Sequence, residues 1–163
     1  TLNKEHKMPA PLLPIYPDPV SFRITSKVKT LSSESLSGKI LTRKIGGQRF
    51  EATLVYPPMT RTQFAPIHAF LMEQAGMSGL FYIKIPVFGT AAGAVGEYYT
   101  YSTHTKVYMC ASDGGDYPTK LVAGGTPEID TVYMRVSLKS DVQSIEYGRD
   151  GLVRFEIDVM ERL

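Results

Sequence analysis

The sequence predicts a mainly β protein, an antiparallel β-sandwich flanked by one α-helix at about 60–75. Three observations carry that expectation. Several runs alternate apolar and polar residues with a period of two, the mark of strands that bury one face. A single segment, "PPMTRTQFAPIHAFLMEQAG" at 57–76, has helical spacing and helical end signals. Short turn signals separate the alternating runs, which favours antiparallel neighbours over long crossovers.

Residues 1–19 form a Pro-rich arm, with Pro9, Pro11, Pro14, Pro17 and Pro19. Proline fixes φ and removes the amide donor, so the arm is expected to be extended. It also carries Leu12, Leu13, Ile15 and Tyr16, which a solvated tail does not need. Either it is a flexible terminus or it lies on its own body or on a neighbouring subunit. Residues 20–163 then read as a single sandwich domain. In "VSFRITSKV", Val20, Phe22 and Ile24 share a face. "KILTRKI" and "QRFEATLVY" are expected to form a hairpin about Gly46-Gly47, since paired glycines supply the positive φ of a tight turn. Phe50, Ala52, Leu54 and Tyr56 point one way in its second limb, with Arg49, Glu51 and Thr53 opposite.

The helix follows. Thr60 is its N-cap and Gln63, three residues on, completes a capping box. Met59 and Phe64 have the spacing of a hydrophobic staple. Phe64, Ile67, Phe70 and Leu71 form the core stripe, and Gly76 is expected as the left-handed C-cap. Pro66 removes one helical bond and is expected to kink or loosen the first turns. Alternation resumes in "LFYIKIPVF", with Phe81, Ile83, Ile85 and Val87 together. A protruding loop or hairpin at about 89–105 carries Tyr98, Tyr99 and Tyr101. "KVYMCA" is a further strand, and "SDGGDYPTKLVAGGTPEID" is rich in turns. The last two strands face Val132, Met134, Val136 and Leu138, then Val153, Phe155, Ile157 and Val159, inward, with "YGRDG" as the turn before the second. The helix is expected to cover an open end or edge of the sandwich.

Composition bounds the function. The chain has 163 residues, 43% hydrophobic and 21% charged, so about two-thirds of its surface can be buried in one core. Its net charge of +2 gives no general pull toward nucleic acid or an anionic membrane. Lys27, Lys29, Lys39, Arg43, Lys44 and Arg49 alternate with apolar residues, as on solvated strand faces. The single cysteine, Cys110, excludes an internal disulfide and a cysteine zinc site, and its alternating surroundings make it a small core residue. No run has the length of a membrane span and no basic-then-apolar opening is present, so no membrane insertion and no secretion are expected.

Reaction chemistry has little to stand on. His6, His68 and His104 lack acidic or histidine partners at ligand spacing, so no metal is expected. "DGGD" at 113–116 would need a Glu at the twelfth calcium-loop position, where Gly124 stands. "GTAAGAVG" at 89–96 has neither the dinucleotide spacing nor a following Lys-Ser/Thr. Glu156 and Asp158, beside Arg154, belong to a polar strand face and not to an acid–base pair. Cys110 has no evident base, and no cofactor is expected.

The segment "LSGKILTRKIGGQRFEATLVYPPMTRTQFAPIHAFLMEQAGMSGLFYIKIP", at 36–86, resembles the core of tail-tip and baseplate structural proteins of tailed bacteriophages, of the distal-tail type. The shared pattern is a basic strand, "GGQR" with an aromatic, an alternating strand, a Pro-containing turn, then an amphipathic helix ending near Q-x-G. The closing "GLVRFEIDVMERL" is similar to the last strand of such proteins. The resemblance implies a tail-tube-like sandwich without catalytic activity. It implies assembly with copies of itself into a ring, a hexamer in this family, that joins the tube to hub or fibres in the virion after assembly in the host cytoplasm. The 163 residues do not extend to the second, carbohydrate-binding-like domain of many distal-tail proteins, so a short adaptor is implied. Neighbouring roles are a tail tube, tail terminator or head-to-tail joining subunit. A separate class is a monomeric β-sandwich binding module using Tyr98, Tyr99 and Tyr101 as a platform. The surfaces expected to meet neighbours are Leu12, Leu13, Ile15 and Tyr16 of the arm, Arg61, His68 and Glu73 of the helix, and those three tyrosines.

Overall fold

The computed structural model describes residues 11–86, 95–111, 116–117, 124–128 and 132–162. It is mainly β, with antiparallel sheets and one α-helix among the described residues, in a sandwich-like arrangement. In chain order the elements are β1 Ser21–Glu34, β2 Ile40–Val55, α1 Arg61–Glu73, a 3-10 turn Gly76–Ser78, and β3 Phe81–Ile85. Then come β4 Tyr98–Tyr101, β5 Val107–Cys110, β6 Asp116–Tyr117, β7 Pro127–Glu128, β8 Val132–Leu138, β9 Ile145–Tyr147 and β10 Val153–Glu161.

The larger sheet runs β1-β2-β10-β8-β3, with β9 added to β10, and curls into a half-barrel. The smaller sheet runs β6-β5-β4-β7. Strict alternation places the core. Phe50, Ala52, Leu54 and Tyr56, the β8 row Val132, Met134, Val136 and Leu138, and the β10 row Val153, Phe155, Ile157 and Val159 are all buried. They join Phe64, Ile67 and Leu71 of α1 and Val107 of β5 in one cluster, so helix and second sheet close over the concave side of the first. Burying each such side chain contributes roughly 1.5–3 kcal/mol.

The helix begins where its end signals say. The Thr60 hydroxyl accepts from the Gln63 amide at 3.3 Å while the Gln63 side chain accepts from the Thr60 amide at 3.1 Å. Pro66 does not interrupt it. The bond that Pro66 cannot donate would have gone to the carbonyl of exposed Thr62, where solvent is at hand. Phe64 packs edge-on against Phe155 at 5.3 Å between centroids. Phe70 is half-buried at the margin of the stripe, edge-on to Phe81 at 5.5 Å.

Three expectations need correction. The helix ends at Glu73 with Gln74 as C-cap, and the first left-handed residue is Ala75 at φ 53. Gly76, at φ 70, follows it and opens the 3-10 turn, so the positive-φ glycine lies one step beyond the cap position. Gly46-Gly47 is not a hairpin turn. β2 runs straight through it, and the turn lies at Ser35–Lys39, where the Ser35 amide donates to the Lys39 carbonyl at 2.9 Å and Gly38 takes φ 77. Between Lys27↔Arg49 and Lys29↔Gly46, β2 has two residues against one in β1, and the positive φ of Gly47 (72) serves this bulge. Finally, Val20 is exposed at 68% and does not share the partial burial of Phe22 and Ile24.

Candidate assembly surface

The displaced turn creates a prominent surface among the described residues. The pairing of β2 with β10 stops at Glu51↔Met160, but its pairing with β1 continues to Ile40↔Glu34. The ribbon from Lys27 to Glu34 therefore runs roughly 25 Å past the sheet at strand rise. Every described side chain at 26–34 and 36–45 is exposed, on both faces of the ribbon. Among them are Val28, Leu31, Leu36, Ile40, Leu41 and Ile45, with Leu36 fully exposed at the tip. Lys27, Lys29, Lys39, Arg43 and Lys44 are interleaved with them. A two-stranded ribbon is marginally stable by itself, and so many exposed aliphatic residues together are uncommon on a monomeric protein.

Its root is clamped by a buried ion pair. The Lys106 ammonium lies 3.0 Å from Glu161 Oε2, with side-chain exposures of 1% and 0%. Glu161 also accepts from the backbone amides of Phe50 (3.1 Å) and Val107 (3.2 Å). Lys106 reaches Gln48 Oε1 at 3.3 Å and stands over the Phe50 ring at 4.9 Å. Gln48 in turn donates to Ser26 Oγ across the ribbon at 2.7 Å. Burial pushes the Lys106 ammonium below its ordinary range, and the Glu161 charge opposes that shift. Strands β2, β5 and β10 thus meet at one polar knot where the ribbon leaves the body.

The expected interface residues are distributed as follows. Leu13 is buried in the chain's own core, because the arm pairs with β3: Pro11 O accepts from the Tyr82 amide at 2.8 Å and the Leu13 amide donates to Tyr82 O at 2.9 Å. Leu12 forms the same parallel bridge and is partly buried. Ile15 and Tyr16, 41% and 77% exposed, remain on the outside. Arg61 stands over the Tyr147 ring at 5.5 Å, His68 stacks on Phe64 at 5.2 Å, and Glu73 is exposed. Arg61, His68 and Tyr147 line a shallow hollow on the helix's outer side. The tyrosines correct the expectation of a displayed aromatic loop. Tyr99 is buried with Tyr108 and Cys110, Tyr101 packs against that cluster, and Tyr98 meets Phe50 edge-on at 5.7 Å. They pack inward because β4 pairs with β5 as a hairpin of the second sheet. Residues 89–94 of the expected loop, and Val87 of the run before it, lie outside the described residues, as do His6 and positions 113–115 of "DGGD".

An apolar cavity of about 410 Å³ opens between the arm and β1–β3, lined by Leu13, Phe22, Leu54, Tyr56 and Ile85, with Asp18 and Lys84 as its charged groups. Burial, then the Asp18 charge, pushes the Tyr56 phenol up to about 12, so it stays a neutral donor. His104 Nε2 is 2.6 Å from the Tyr108 hydroxyl. No group of three or more His, Cys, Asp or Glu able to hold a metal ion occurs among the described residues. No described helix is long and apolar enough to cross a membrane.

Sequence reasoning missed the ribbon and its root. "SKVKTLSSE" and "KILTRKI" did carry a signal: neither alternates cleanly, and each spreads cations and aliphatics over both faces. Lys106 and Glu161 are 55 positions apart and carry no local signal. Comparison with known proteins finds no family model that matches the chain and no curated protein that matches it.

Proposed function

We propose that this chain is a virion structural protein of a tailed bacteriophage, a ring-forming tail-tip or baseplate component of the distal-tail type that connects the tail tube to hub or fibres. It acts by shape and adhesion and makes or breaks no bonds. The resemblance of residues 36–86 supplies the setting. The observation that carries self-assembly is the projecting β1–β2 ribbon, whose aliphatic residues find no cover on their own body. Subunits of a closed ring meet through two different patches, and a ribbon offered on one side suits such a contact. The reading as a monomeric binding module loses support, since Tyr98, Tyr99 and Tyr101 pack inward and do not form the exposed platform that reading needs of them.

Native mass measurement and negative-stain imaging of the purified chain test the reading, together with antibody labelling of tailed virions. The expected result is a closed ring and label at the tail tip. A strict monomer at every concentration, with no label on the tail, refutes it.

A further inference from the structure

We propose that the β1–β2 ribbon of one copy seats in a specific groove on a second copy, between the 140–144 loop and the outer side of β10. This rests on the self-assembly proposed above and names the two patches that meet. The groove, about 210 Å³, is lined by exposed Val142, by Gln143 and Ser144, by Glu156 and Asp158, and by the edges of core residues such as Phe155 and Ile157. Val142 is 76% exposed, and Glu156 is exposed with no ion pair among the described residues.

Charge and direction select the occupant. Five cations and one anion, Glu34, give residues 26–45 a charge of +4 in a chain whose total is +2, so the rest of the chain carries −2. The ribbon is thus a basic, aliphatic-bearing strand pair, and the groove is a mixed hollow, polar along Ser140, Gln143 and Ser144, that offers exposed Val142 and the carboxylates of Glu156 and Asp158. The carboxylates supply a counter-charge to the ribbon's cations, and Val142 an apolar contact for its aliphatic residues. A ribbon cannot fill the groove of its own chain. Glu156 and Ile157 pair with Val55 and Leu54, at the end of β2 opposite the tip, roughly 30 Å of strand from Ile45. The tip points away from that end, so the groove nearest to it belongs to another copy displaced along the strand direction. Two different patches then meet, and the contact is head-to-tail.

Sedimentation of full-length variants tests this. Reversing the ribbon (Arg43→Glu with Lys44→Glu) or the groove (Glu156→Lys with Asp158→Lys) is expected to weaken self-association by about tenfold or more, and combining both reversals in one chain to restore most of it. All four positions are exposed; Asp158→Lys also gives up the hydrogen bond that Asp158 accepts from Thr53, so circular dichroism verifies that each variant folds. Leu41→Asp chains mixed with Val142→Asp chains should stop at a dimer, because such a pair holds one intact ribbon and one intact groove. If the wild type assembles but reversal and mixing have no effect, the inference falls while the ring reading stands. If the wild type never assembles, both fall. Binding of the monomer to duplex DNA or to anionic vesicles through the ribbon, unaltered by Val142→Asp, also overturns the inference, since the occupant is then not a second copy.

Discussion

Replacing Glu161 should damage the fold more than replacing Lys106, and replacing both should be milder than replacing Glu161 alone. In Lys106→Met the stem still packs, and the carboxylate keeps its two backbone donors, Phe50 and Val107. Loss of one partner of a buried pair costs about 3–5 kcal/mol, and the surviving bonds place this variant near 3. In Glu161→Leu the ammonium loses its counter-charge and two buried amides lose their acceptor. Each orphaned amide adds about 1–3 kcal/mol, so the total is about 5 or more, a large part of a domain's stability. The double variant removes the stranded ammonium and retains only the two orphan amides, at about 2–6 kcal/mol. Urea unfolding followed by far-UV circular dichroism resolves these differences, and each kcal/mol moves Tm by about 2–4 °C at this chain length. A cost below about 1 kcal/mol for Lys106→Met, or a double variant as unstable as the sum of the singles, refutes the account of the knot.

Ile67→Ala should cost about 2–5 kcal/mol by denaturant unfolding, and Phe70→Ala distinctly less, because Ile67 is fully buried and Phe70 only half so. Gly79→Ala should destabilise by about 1–3 kcal/mol, since its methyl would run into the Gln74 carbonyl, and thermal melts read this. The Glu51 carboxyl is held below its ordinary value of 4.5, first by the hydrogen bond from Lys139 and further by Lys27, with partial burial opposing. The unfolded chain therefore takes up this proton first as pH falls. The stabilisation is full above the unfolded value and is lost as pH drops through the folded one, so Glu51→Gln should flatten the stability–pH curve there.

Where burial follows local pattern, the sequence was legible. The β8 and β10 rows, the second limb of β2 and the Thr60–Gln63 capping box all lie where period and end signals put them. Gly46-Gly47 misled because a bulge and a tight turn ask the same thing of glycine, a positive φ, and local sequence does not say which use it serves. The tyrosines misled because their inward packing depends on β5 and Phe50, which are supplied from elsewhere in the chain. The ribbon was hidden for a related reason. Its strands spread cations and aliphatics over both faces, but only the end of the pairing with β10 at Glu51 tells that the body covers neither face.

The two margins of the larger sheet differ. At Tyr82 the β3 margin is sealed by the chain's own arm, while β1 borders no further strand among the described residues. The arm therefore blocks backbone pairing by another molecule at Tyr82, while β1 and the ribbon half of β2 beyond Glu51 keep backbone edges without a partner among the described residues. On the larger sheet the side that carries the ribbon is thus the side left open to added strands, and the arm guards the other at its Tyr82 bridge.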